Sequence, residues 1–254
     1  MKAIILAAGM GKRFAEITGR RPKCLIEIRG KTLLERTLSA LAATGVRTAV
    51  VVIGYGGDLI RQRVGPHYAG VEISYVCNPD YSKGAILSLW SARDAFDDDL
   101  LIMDADVLFP VALLGRLIRS PYPNCFLLDA SAVNTGEEQM LLTRGGRVVN
   151  IVRGGSGDFE VIGESVGFFK VARADAPLLR AILAELLAQG RDTIEHEDAF
   201  PLFLAQRDVG FERVDDLPWV EIDFPADLAR AEREVLPRIE ALDEAQGRSS
   251  RTHR

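Results

Sequence analysis

The stretch Ala3-Ile4-Ile5-Leu6-Ala7-Ala8-Gly9-Met10-Gly11-Lys12-Arg13-Phe14 decides how this chain is read. Its first half is an unbroken apolar run, as expected of a strand covered on both faces of a parallel sheet. Its second half replaces side chains with alanine and glycine, so the backbone can pass close to a ligand and turn its N–H groups toward it. Lys12 and Arg13 follow at once, and Arg21-Pro22-Lys23 adds a further lysine. Amides and cations at a strand end make a grip for the phosphates of a nucleoside triphosphate, with Leu6, Ala7, Ala8, Gly9, Gly11 and Lys12 as candidate contacts. Two other glycine motifs fit worse. A dinucleotide fingerprint wants a third glycine where Phe14 stands, and a P-loop wants a hydroxyl where Arg13 stands. A plain strand–turn–helix would explain the glycines and leave the cations idle.

Working outward, strands and helices alternate. Strands are expected at Lys2–Ala7, Thr48–Ile53, Val71–Cys77, Asp99–Met103 and Cys125–Asp129, with helices at Thr32–Ala43, Gly57–Val64, Ala85–Phe96 and Val111–Ile118. Beyond Ser131 the rhythm changes to a hairpin around Arg144-Gly145-Gly146, a strand over Glu164–Val171, helices at Pro177–Ala188 and Asp198–Ala205, strands at Gly210–Val214 and Trp219–Ile222, and a helix over Pro225–Ile239. The expectation is an α/β fold. It has a Rossmann-like mixed, mostly parallel sheet, helices on both faces and a small β insert at about 131–170 on the acceptor side. Residues 1–240 are expected to form one domain, and 241–254 a disordered polar tail.

Composition excludes several classes. With 254 residues, 48% hydrophobic and 26% charged, the chain is an ordinary globular one. A net charge of −5 argues against nucleic acid as a partner. No apolar run is long enough to span a bilayer and no signal peptide is seen, so membrane binding is not expected and a cytoplasmic location is. Cys24, Cys77 and Cys125 lack metal spacing and read as reduced, mostly buried thiols. Oligomeric state leaves no mark in the sequence.

Two acidic motifs complete the chemistry. Asp104-Ala105-Asp106 closes an apolar strand at the end where such sheets bind ligands, and alternation would aim both acids at one site. Trp219-Val220-Glu221-Ile222-Asp223 delivers another acid just before Phe224-Pro225. Asp106 and Asp223 are the candidate pair for magnesium (Mg2+), a hard cation that takes carboxylate and phosphate oxygens. The alternative for Asp223 is a cap on the helix that follows.

The N-terminal motif resembles the signature of the nucleotidyltransferase superfamily, which includes MobA-like and sugar-phosphate nucleotidyltransferases. The two acidic motifs narrow the resemblance to the bacterial phosphocholine cytidylyltransferase-like branch, over Met1 to about Leu236. The resemblance implies that Gly9, Gly11, Arg13 and Lys23 hold the triphosphate, with Arg13 and Lys23 catalytic, and that Asp106 and Asp223 bind the metal. It implies that Asn78, Tyr81, Ser88 and Asp104 serve the nucleotide. Lys83-Gly84-Ala85-Ile86-Leu87 departs from the asparagines many branch members carry there, so the resemblance supports the reaction better than it supports choline. Candidates on the acceptor side are Lys170, Glu195 and Trp219; Tyr81, Phe168, Phe169, Glu197 and Asp198 are further candidates for a cation cage, and His196 reads as a solvated helix start.

The expected partners are a nucleoside triphosphate, CTP by resemblance, and a small phosphorylated acceptor such as phosphocholine or an aminoalkyl phosphonate. Sugar 1-phosphate transfer with another triphosphate is the neighbouring alternative. A D-x-D glycosyltransferase would leave the Lys12/Arg13/Lys23 loop without a role, and a non-catalytic nucleotide sensor would not require Asp106, Asp223 and Lys23 together.

Overall fold

The computed structural model describes residues 1–11 and 21–252, with side chains through residue 245; Lys12 and Arg13 lie outside the described residues. In chain order the strands are β1 (Lys2–Ala7), β2 (Glu27–Ile28), β3 (Lys31–Thr32), β4 (Thr48–Ile53), β5 (His67–Tyr68), β6 (Val71–Cys77), β7 (Leu100–Asp104), β8 (Val107–Leu108), β9 (Cys125–Asp129), β10 (Gln139–Arg144), β11 (Arg147–Arg153), β12 (Ile162–Val171), β13 (Gly210–Arg213) and β14 (Val220–Glu221). Parallel pairing of β7, β1, β4 and β6 forms the centre of the main sheet, and β12 joins β7 antiparallel, so the mixed, mostly parallel architecture is as expected.

The central strands are apolar throughout because both faces are covered. Ala3 and Ile5 of β1 and Leu101 and Met103 of β7 pack on one side, with Leu34 and Leu38 of helix Leu33–Ala43 and Leu113 and Leu117 of helix Val111–Arg119. Ile4, Leu100 and Ile102 pack on the other, with Ile86 and Leu89 of helix Ile86–Ser91 and Leu179 and Leu183 of helix Ala176–Ala188. Helix Leu33–Ala43 starts on a capping box in which Thr32 and Glu35 satisfy each other's backbone N–H. The helix expected over 85–96 is shorter, ending at Ser91 and followed by a 3₁₀ turn at Arg93–Ala95.

β12 organises the ligand end. Along one edge it pairs with β9, while its other edge pairs with β10 through Ile162–Glu164 and with β7 through Phe168–Val171. The register slips between Ser165 and Phe169, where Gly167 takes φ +79°. The early half of β12 thus overhangs the carboxyl end of β7, and the β10–β11 hairpin, the expected insert, forms a wall beyond it.

The helix Leu236–Thr252 runs through the boundary expected at 240 and into the segment read as a disordered tail. Polar composition suggested a free end, but the apolar spacing continues. Leu236 and Ile239 are buried, Leu242 packs on the body, Glu240 pairs with Arg29 at 2.8 Å, and Asp243 accepts from Val111 N at 3.2 Å.

Candidate active site

A cleft of about 1070 Å³ opens over the carboxyl ends of β1 and β7. Leu6, Ala8, Gly9, Gly11 and Lys23 line it; Ala7 points the other way into the core. Gly11 has φ +54°, and a Cβ there would press on Lys23 Cβ at 3.3 Å, so glycine lets the loop and the lysine share the space. Tyr81 and Ser88 line the cleft, and Asn78 stands behind them, buried, with its Nδ2 donating to Ser88 Oγ at 3.0 Å.

The short ribbon of β8 and β14 brings Asp106 and Asp223 together. Val107 pairs with Glu221, and Ile222 N donates to Asp106 O at 3.1 Å, so two acids far apart in sequence face each other. Lys23 Nζ lies between them, 2.7 Å from Asp106 Oδ2 and 2.5 Å from Asp223 Oδ1. Burial works against the lysine's charge, but the two carboxylates outweigh it and hold the ammonium protonated well above its ordinary range. Asp223 is not the helix cap. Asp227 takes that task, accepting from Asp223 N at 3.0 Å and Phe224 N at 2.7 Å.

Glu221 joins this group. Burial first, then Asp106 and Asp223, push its carboxyl well above the usual range. Oδ1 of Asp106 is buried without a hydrogen-bond partner. An orphaned carboxylate oxygen beside Asp223 and Glu221, three oxygen donors within reach of one another, fits a hard divalent cation.

Alternation led us to expect Asp104 and Asp106 at one point. β7 ends at Asp104, so the period of two stops there and the acids diverge within the cleft. Asp104 turns to His196 and Glu197 instead. His196 is 4% exposed, its Nδ1 2.9 Å from Glu197 Oε2, off the line of a good hydrogen bond, and its Nε2 3.9 Å from Asp104 Oδ1. Burial disfavours its charge, yet Glu197 and Asp104 raise the imidazole to about 9, while burial pushes the Asp104 carboxyl well above its usual range. The residue expected at a solvated helix start is therefore buried beside two acids. The signal was present in Glu195-His196-Glu197-Asp198, a capping pattern running into Ala199-Phe200, which the apolar core captures. Gly167, which sequence reasoning also missed, lies over Asp104; a Cβ on it would stand 2.5 Å from Asp104 Oδ2.

Glu195 and Trp219, read from the sequence as acceptor candidates, both line the cleft. Trp219 is 8% exposed and its Nε1 donates to Asp129 Oδ2 at 2.8 Å. Glu138 and Glu164 stand nearby, and burial, then Glu138 and Asp129, raise the Glu164 carboxyl to about 7. Lys170 does not belong to the site. Because β12 runs antiparallel to β7, Lys170 pairs with Leu101 at the opposite end of the sheet, 6% exposed, donating to Ser120 O at 2.8 Å. Arg153 and Arg230 line the cleft instead. Phe168 and Phe169 are core residues.

A glycine loop and paired acids thus meet at the carboxyl ends of a mixed α/β sheet. Residues 3–144 match the MobA-like NTP transferase domain, and the chain belongs to that family. Among curated proteins it is 40% identical over 134 residues to the CMP-5′-(3-aminopropyl)phosphonate synthase of Streptomyces rubellomurinus, covering 52% of this chain and 20% of that protein. It is 28% identical over 240 residues to the 2-aminoethylphosphonate cytidylyltransferase of Lancefieldella rimae, covering 89% of this chain and 90% of the relative. The chain thus spans a fifth of the first relative and nearly all of the second. In fold it superposes on the CTP:phosphocholine cytidylyltransferase from Streptococcus pneumoniae with a TM-score of 0.73 at 21% identity, over 91% of this chain and 97% of that one.

Proposed function

We propose that the protein transfers CMP from CTP to a small phosphonate or phosphoalcohol bearing an ammonium group, releasing pyrophosphate. The observation that carries this reading is the Lys23 ammonium bridging Asp106 and Asp223 below the glycine loop, beside an unpartnered Asp106 oxygen. An acceptor oxygen attacks the α-phosphorus in line with the departing pyrophosphate, so one P–O bond forms as another breaks. The acceptor is already dianionic near neutral pH, with a second pKa near ~6, so no general base is needed.

The chain's own groups do the positioning. Backbone N–H groups of the Gly9–Gly11 turn and Lys23 face the triphosphate, and Tyr81 and Ser88 flank the space for the base and ribose. Asp106 and Asp223 would hold magnesium, which supplies charge neutralisation at the reacting phosphates when bound. Lys23 then passes from the carboxylates to the charge developing on the α-phosphate. Arg153 and Arg230 line the cleft and would supply cations for the acceptor's phosphorus group. Asp129, Glu138 and Glu164 around Trp219 form an acidic, aromatic corner suited to an ammonium. The cytidylyltransferase relatives that act on aminoalkyl phosphonates support both the base and the acceptor class.

The test is pyrophosphate release with magnesium, each of four nucleoside triphosphates being run against 2-aminoethylphosphonate, phosphocholine and glucose 1-phosphate. Release with CTP and an amine-bearing acceptor is expected. Release with UTP or GTP and the sugar phosphate would keep the reaction and overturn base and acceptor.

A further inference from the structure

Tyr81, Ser82, Lys83 and Ala85 line the cleft, as do Glu195, His196 and Glu197; the first group belongs to the nucleotide in the reading above, and the second is taken here as the acceptor's. Behind the cleft the two segments meet backbone to backbone. Gly84 N donates to Asp192 O at 3.0 Å and Ile86 N to Ile194 O at 3.2 Å, while Lys83 Nζ donates to Asp192 Oδ2 at 3.0 Å. Gly84 sits at the centre of this seam. A Cβ on it would lie 2.2 Å from Ile194 O, 2.5 Å from Thr193 C and 2.6 Å from Ile194 N. Its φ is outside the left-handed region, so close approach and not backbone conformation demands glycine.

Beyond the seam, Glu195 and Asp198 cap each other's backbone N–H, and His196 is buried with its ring edge-on to Phe200. Movement at Asp192–Ile194 has little slack in which to dissipate before it reaches Glu195. The Lys83-Gly84 pair, where this chain departs from the branch pattern, is therefore the contact that joins the two halves of the site.

We propose that Gly84 is a positioning residue that couples the halves: nucleotide seated against Tyr81–Ala85 fixes Glu195–Glu197 in the geometry that receives the acceptor. The proposal rests on the nucleotidyltransfer reading above. Coupling of this kind is reciprocal, so each substrate tightens the binding of the other.

The experiment is hydrogen–deuterium exchange on the whole protein with CTP and magnesium and no acceptor. In the wild type, CTP should slow exchange both at 78–88 and at 192–199. In Gly84→Ala the added methyl forces the two segments apart by roughly 1 Å, a displacement able to cost about 10²-fold in rate when it misplaces a substrate. There, protection should stay at 78–88, and the acceptor KM should rise far more than the CTP KM. A residue that only packs would lower stability without separating the two protection zones. Protection confined to 78–88 in the wild type overturns the coupling and leaves the nucleotide site standing. Protection at neither segment overturns the nucleotide reading itself, and the coupling falls with it. If Gly84→Ala does not fold, Asp192→Ala, which removes the Lys83 partner at the exposed edge of the seam, should weaken protection at 192–199 in the same direction; unchanged protection there overturns the proposal.

Discussion

Replacing Lys23 by alanine removes the ammonium that bridges Asp106 and Asp223 and leaves two carboxylates facing each other beside Glu221. Deleting one partner of a fully buried ion pair costs roughly 3–5 kcal/mol. Here the Asp106 and Asp223 side chains keep 23% and 39% of their exposure. Water screens part of the loss, and ~1–2 kcal/mol is expected to remain. In a chain of this size that lowers Tm by roughly 2–8 °C. A divalent cation neutralising the same carboxylates acts in the opposite direction, adding about 2.7 kcal/mol at a concentration a hundredfold above its Kd. Thermal melts of wild type and Lys23→Ala with EDTA and with a magnesium series read both effects without turnover. The variant should melt lower in EDTA and gain more from magnesium than the wild type does, because no ammonium competes for the oxygens. Its pyrophosphate release should stay low at every magnesium concentration. An equal magnesium gain in both proteins would refute the placement of the cation at Asp106 and Asp223.

Asp106→Asn should lower turnover by roughly 10²–10³-fold while leaving the fold intact, checked by kcat beside a denaturation curve. Trp219→Phe leaves the buried Asp129 oxygen without its donor and should cost ~1–3 kcal/mol, read from the denaturant midpoint. His196 is raised from 6.5 to about 9 on folding, burial being outweighed by Glu197 and Asp104. Its protonation therefore contributes in full below the unfolded value and is lost as pH climbs through the folded one. The stability advantage of wild type over His196→Gln should shrink across that window in paired melts. A constant difference would show that the imidazolium is not what holds Asp104 and Glu197.

The residues legible in the sequence are those whose position follows from strand ends. Leu6 to Gly11 and Asp106 stand where a parallel sheet presents its carboxyl edge, and local pattern suffices to find them. Lys23 instead opens a 3₁₀ turn and is found through the Arg21-Pro22-Lys23 motif. Asp223 was legible as an acid ending a short strand, but its facing Asp106 depends on the β8–β14 ribbon, two residues per strand and too short for periodicity to reveal. Lys170 shows the limit from the other side. Its local pattern is that of a strand end, and only the antiparallel direction of β12 says which end of the sheet that is. His196 and Gly167 escape for a related reason, since each acts on Asp104 across a long separation in sequence.

Lys23 and Asp223 are separated by 200 residues. A ribosome adding ~5–20 residues per second exposes the phosphate grip roughly 10–40 s before the second carboxylate. β1 finds its sheet neighbours β4 and β7 early, yet Asp106 and Asp223 face each other only once Val220–Glu221 has zipped onto Val107–Leu108. Under the proposed reaction, chemistry is gated by completion of the fold, so a molecule stalled before that last pairing would neither turn over substrate nor waste it.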